Sequence, residues 1–197
     1  MLLTLVIAFG SVLVIWISLN VLRKLHWDAI HLNLLELADS LSGKVIRNGF
    51  FSRPIFHGSC QDTDLTVNFS SEKVRKGRTN LIDISLAMNI HRSATISSLD
   101  WLKERGEKSI TEYETFLVSG QPFYGIRTDN YPAVQSKFKD KNLMESIEKL
   151  HPFRFIFISR QGILFEKEME NLPQNTRHPR IKELIDNLFV FIQRFEI

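Results

Sequence analysis

Residues 2–22, LLTLVIAFGSVLVIWISLNVL, run for 21 positions without one charged side chain. Wound as a helix at about 1.5 Å per residue, such a run reaches roughly 30 Å, the thickness of a bilayer's hydrocarbon core. A segment this long and apolar either crosses a membrane or is buried on every side, and about 18 or more apolar residues in a row favour the first. A cleaved signal peptide would need basic residues ahead of a shorter apolar core and small residues at the cleavage point. No Lys or Arg precedes this run, and Ser18-Leu19-Asn20 is a poor cleavage site. The expectation is one transmembrane helix, with residues 1–24 as the anchor and the lipid bilayer as first partner.

Arg23 and Lys24 follow the run directly while nothing basic lies before it. The positive-inside bias therefore predicts a single-pass protein of the inner (cytoplasmic) membrane, N-terminus outside and the remaining chain in the cytoplasm. Within the run, Thr4, Ala8, Ser11 and Ser18 share one side, with Gly10 beside them. Small and hydroxyl side chains on one stripe let a second helix approach closely and offer interhelical hydrogen bonds of roughly 0.6–2 kcal/mol each. The plainer reading is that the hydroxyls bond back to the preceding turn and face lipid.

Beyond the run, Ile30, Leu34, Leu37, Ala38 and Leu41 recur at helical spacing, and no Pro or Gly interrupts the chain between Leu22 and Ser42. Residues 25–43 are predicted to form a juxtamembrane helix ended by Gly43 and continuous with the span as one rod. The rest, residues 44–197, suits one α+β domain with a mainly antiparallel sheet packed by helices. Leu65, Val67 and Phe69, then Ile82, Ile84, Leu86, Met88 and Ile90, alternate with polar residues as two half-buried strands joined by a polar tip at residues 72–78. Shorter strands are expected around Val45 and Ile55 and at Thr115 to Val118. From Gly120, Gln121-Pro122 and Tyr131-Pro132 predict a loop, followed by a short helix after Pro132 and another carrying Leu143, Ile147 and Leu150. Phe153 to Ser159 is apolar on both faces and belongs in the middle of a sheet or under a helix, with a turn at Gln161-Gly162. Pro179 opens a C-terminal amphipathic helix through Ile181, Leu184, Ile185, Leu188, Ile192 and Phe195.

The stretch VSGQPFYGIRTDNYPAV, residues 118–134, resembles a group of uncharacterised prokaryotic membrane-anchored proteins. Their domain carries a pattern close to T-G-D-x-x-F-D-x-x-F-x-V-x-S-x-x-P and ends in a helix. Gly120, Phe123 and Pro132 fit that pattern, whereas Gln121 and Tyr124 stand where its acidic residues would be, so any role of those carboxylates is absent here. The resemblance extends over residues 118–197 and implies a single α+β domain after an N-terminal membrane segment, and no activity.

No catalytic or cofactor motif stands out, and the chain is expected to hold no cofactor. His57 and Cys60 place an imidazole and a thiol close in sequence, the alternative being a membrane-surface hydrolase or transferase built on them. The bland reading is a buried, inert cysteine. The lone Cys60 excludes an internal disulfide and agrees with a reducing compartment. His26, His31, His57, His91, His151 and His178 show no spacing typical of a metal site. A net charge of +3, from 25 basic and 22 acidic residues, is too mild to argue for nucleic acid. Lys73, Arg75, Lys76 and Arg78 are the densest basic cluster, a candidate contact for anionic lipid or a partner, or simply a solvated tip. Phe50-Phe51 is a candidate apolar corner, Trp27 fits an aromatic belt and Trp101 a core. The function expected from all this is a membrane-anchored interaction protein: an accessory or structural subunit of a membrane complex, or a homo-oligomer joined through its helix.

Overall fold

Helix α1 is one unbroken element, Leu2–Ser40, of 39 residues, about 58 Å long at helical rise. It opens the computed structural model, which describes residues 2–74, 77–106, 113–118, 121–128 and 136–196. The expected rod is therefore present, with no break where the apolar run gives way to the amphipathic pattern. It ends by a Schellman arrangement: Ser42 takes φ 47°, and the Gly43 N–H donates to the Ala38 carbonyl at 3.0 Å. Ser42, not Gly43, thus holds the left-handed position. Gly43 is needed for a different reason, since a Cβ there would lie 2.3 Å from the Phe56 ring.

Nine strands among the described residues form one antiparallel sheet: β1 (Lys44–Ile46), β2 (Ile55–Cys60), β3 (Thr63–Val74), β4 (Gly77–Ala87), β5 (Ala94–Ser98), β6 (Glu114–Val118), β7 (Gln121–Arg127), β8 (Phe155–Ser159) and β9 (Gly162–Glu168). Their order is β1-β2-β3-β4-β9-β8-β5-β7-β6. With α2 (Leu99–Arg105), α3 (Lys141–Leu150), α4 (Leu172–Asn175) and α5 (His178–Glu196), this is an α+β fold. Gln61 and Asp62, both at positive φ, make the two-residue β2–β3 turn, which matches the right-handed twist of the strands it joins.

Three expectations change. The polar tip at residues 72–78 is mostly strand, paired as Glu72 with Thr79, Lys73 with Arg78 and Val74 with Gly77. Arg75 and Lys76 lie outside the described residues, as do Gly120, Tyr131-Pro132 and the start of the helix expected after Pro132. Residues 121–127, expected as loop, are strand β7. Pro122 is tolerated there because the ladder to β6 shifts register, so that Pro122 and Phe123 together oppose Leu117, and the ladder to β5 begins only at Tyr124. Strand β8 does lie inside the sheet, between β9 and β5, but only one of its faces is fully covered; on the other, Phe155 packs against Trp101 while Phe157 is 45% exposed.

Alternation sends Val67, Phe69, Ile82, Ile84, Phe165, Ile156, Ile96 and Ile126 to one side of the sheet. There they meet the apolar faces of α1, α3 and α5 in a single core. The α1 share of that core is Trp27, Ile30, Leu34, Leu37 and Ala38. Polar clips hold the helix in place: Asn33 donates to the Pro173 carbonyl at 2.8 Å and to Thr176 Oγ1 at 3.0 Å, and Ser40 Oγ bonds His178 Nε2 at 3.0 Å. The opposite face of the sheet carries α2, with Trp101 half-buried against Phe155 at 5.5 Å rather than in the main core.

Candidate functional site

The first candidate is the bare half of α1. Every large apolar side chain at positions 3–22 is exposed, and this is the one helix among the described residues long and apolar enough to cross a membrane, its most apolar window having mean hydropathy 2.4 and nothing buried. Ala8, Ser11 and Ser18 are exposed on it, as is Thr4. The Ser11 hydroxyl donates to the Ile7 carbonyl at 2.9 Å and Ser18 to Val14 at 2.8 Å, and Asn20 donates to the Trp16 carbonyl at 2.8 Å. Their donors are satisfied within the helix, which leaves the hydroxyl oxygens as acceptors for a neighbour.

The second is the end of the sheet beside residues 23–28. Strand β2 passes the C-terminal end of α1, where the Ser59 N–H reaches the Leu41 carbonyl, and its partner β3 runs back until Phe69 meets Trp27, ring centroids 6.3 Å apart. The β1–β2 turn and the outer half of the β3–β4 ribbon therefore both lie toward the apolar half of α1. Arg47 braces the turn: Nη1 donates to Asp28 Oδ1 at 2.5 Å, Nη2 to the Phe50 carbonyl at 2.7 Å and Nε to the Ser52 carbonyl at 3.1 Å. Asp28 also pairs with Lys24 at 3.3 Å, and these cations hold its carboxyl below the usual range. Lys24 in turn sits 4.6 Å over the Phe50 ring. Arg53 donates to the Phe69 carbonyl and to Ser71 Oγ and covers Trp27. Partial burial lowers its pKa, and the Arg23 and Arg78 cations push the same way. Trp27 itself is 7% exposed, so it belongs to the core and not to an aromatic belt. Lys73 and Arg78 are exposed cross-strand neighbours on the ribbon.

His57 and Cys60 do not form a nucleophile and base. Alternation along β2 turns them to opposite faces: His57 Nδ1 bonds Thr66 Oγ1 at 3.1 Å across the strands, while Cys60 is buried in the core. Burial raises the thiol pKa, with Asp186 adding to the rise, the reverse of what an attacking thiolate needs.

A third arrangement involves Arg154, which is 2% exposed at the start of β8. Its Nε donates to Glu168 at 2.7 Å, and Nη1 pairs with Glu72 and lies 3.7 Å from Glu166. Burial first, then the neighbouring Asp83 carboxylate, pushes Glu166 up to about 7. Arg154 borders an open cleft of about 700 Å³ together with Trp101, Lys167, Glu168 and Glu183. Its lining mixes both signs of charge. Sequence reasoning missed this cluster, although an Arg inside an otherwise apolar strand was the signal for it. Tyr124, where the resembled pattern has an acid, is buried, accepts the Phe153 N–H at 3.1 Å and bonds His151 Nδ1 at 2.8 Å. It serves the core.

No family model matches the chain, and no curated protein matches it in sequence. Its fold is that of a solved protein. The crystal structure of the mycobacterial trehalose monomycolate transport factor A, TtfA, is similar with a TM-score of 0.50 and 12% identity, over 82% of this chain and 95% of that one. At that identity the likeness concerns the fold alone.

Proposed function

We propose that the chain is a single-pass membrane protein whose α+β domain serves as an interaction module, an accessory or structural subunit of a membrane complex or of a homo-oligomer. The observation that carries this is the division of one continuous helix: its first half buries nothing while its second half is part of the domain core. Exposed apolar area on that scale needs a lipid or protein partner to cover it. Residues 1–24 are the anchor, 25–43 the juxtamembrane helix and 44–197 the domain. Arg23 and Lys24 favour a cytoplasmic domain on the inner membrane. The TtfA likeness supports an accessory role, because that protein is described as a transport factor. Cys60 and His57, turned to opposite faces of β2, lend the enzyme alternative no support.

On this reading Thr4, Ala8, Ser11 and Ser18 form the seam against a neighbouring helix. The full chain, extracted from its membrane in mild detergent, is expected to travel with defined companions or copies of itself in intact-complex mass analysis. Ser11→Leu with Ser18→Leu should dissociate them. A lone monomer would overturn the subunit role, and a complex indifferent to both changes would overturn the seam.

A further inference from the structure

The same end of the sheet holds two aromatic side chains that the fold does not use. Phe50 is 62% and Phe51 41% exposed, their rings meeting edge to face at 5.2 Å on the tip of the β1–β2 turn. A turn tip has no packing reason to carry adjacent phenylalanines, and polar residues with Gly are the rule there. Nor is the tip loose, for Arg47 ties its carbonyls to Asp28 on α1. Its height along α1 is set by its partners. Lys24, stacked on Phe50, lies two residues beyond the apolar run and Asp28 six, which is about 3 Å and 9 Å along the axis. The headgroup layer on each side of the hydrocarbon is about 5–8 Å deep. Arg23, directly after the run, and Arg53, 5.6 Å over the Trp27 ring, add positive charge at that level, the complement of anionic headgroups.

We propose that the β1–β2 turn is a second membrane contact, with Phe50 and Phe51 seated in the interface of the bilayer that α1 crosses and the neighbouring cations facing anionic headgroups. This deepens the reading above and rests on it. The contact would fix how the domain leans on the membrane, which a single helix cannot do alone, since a helix leaves rotation about its own axis free.

The test is spin-label depth measurement on the full chain, in a Cys60→Ala background, in vesicles of phosphatidylcholine and phosphatidylglycerol. Labels go at Asn48→Cys beside the pair, at Ile15→Cys within the span, and at Asp62→Cys on the turn at the opposite end of β2. The label at 15 should be open to oxygen and closed to a water-soluble nickel complex, and the label at 62 the reverse. The label at 48 should lose nickel access relative to 62, and regain it when Phe50→Ser and Phe51→Ser are added. A label at 48 as wet as that at 62, with 15 still deep, overturns this contact and leaves the span standing. Shielding of 48 from both reagents means that protein covers the turn, which also overturns it. A wet label at 15 removes the span and the contact together.

Discussion

Two halves of one helix make the most useful contrast in this molecule. Positions 3–22 of α1 and the half from Trp27 to Ser40 share one backbone and one axis, yet the first exposes all its large apolar side chains while the second buries Ile30, Leu34 and Leu37 completely. Helix formation is therefore not what separates an anchor from a core element. The separation lies in what the rest of the chain supplies: the sheet and α5 cover one stripe of the second half, and nothing in the described residues covers the first.

The largest effect expected from that contrast is on truncation. Leu34→Ala should lower domain stability by about 2–5 kcal/mol, the range for a buried leucine, whereas Ile15→Ala should leave chemical denaturation of the detergent-solubilised protein unchanged. Equal losses from both would mean that the first half also packs on the domain. Next comes the joint. Leu25→Pro removes one main-chain bond at an exposed position and costs about 3 kcal/mol of local helix. Distances between a label in the span and one in the domain should then broaden while the domain stays folded.

A smaller effect belongs to pH. The apolar run has no titratable side chain, so pH dependence must come from the domain. Glu166, raised from 4.5 to about 7, binds its proton more tightly folded than unfolded. Its contribution is therefore complete below about pH 4.5 and fades as pH rises through 7. Asp83, also raised by burial, acts in the same sense. Glu166→Gln should flatten the slope of stability against pH in that window, and an unchanged slope would remove Glu166 from the account. Least of all, Cys60 should label with a maleimide only as fast as the domain unfolds. Rapid labelling of the folded protein would contradict its burial.

How much of this was readable beforehand follows the range of the interactions. The apolar run, the amphipathic continuation, the β3–β4 alternation and the C-terminal helix are local patterns of period 3.6 or 2, and they stood in the chain for anyone to count. The pairing of β4 with β9 joins Leu81 to Glu168, and no local rule selects it. For the same reason the Arg154 cluster stayed hidden: its carboxylates come from β3 and β9, and only the register aligns them. Strand β7 was masked by Pro122, which signals a loop unless a bulge is there to receive it. At the candidate interface, Phe50-Phe51 was visible as composition, but its level along α1 was not, since that is set by the Arg47–Asp28 and Lys24–Phe50 contacts across the fold.

The unbroken joint between the halves of α1 has a mechanical consequence. In a bilayer, a span longer or shorter than the local hydrocarbon thickness adjusts by tilting, commonly by about 20°. With no hinge, Ser40 lies about 27 Å beyond Leu22, and a tilt of that size would carry it sideways by roughly 9 Å. Held by its helix alone, the domain would thus act as a pointer on a gauge, its position over the membrane reporting how thick the membrane is, and a seated β1–β2 turn would hold that pointer still.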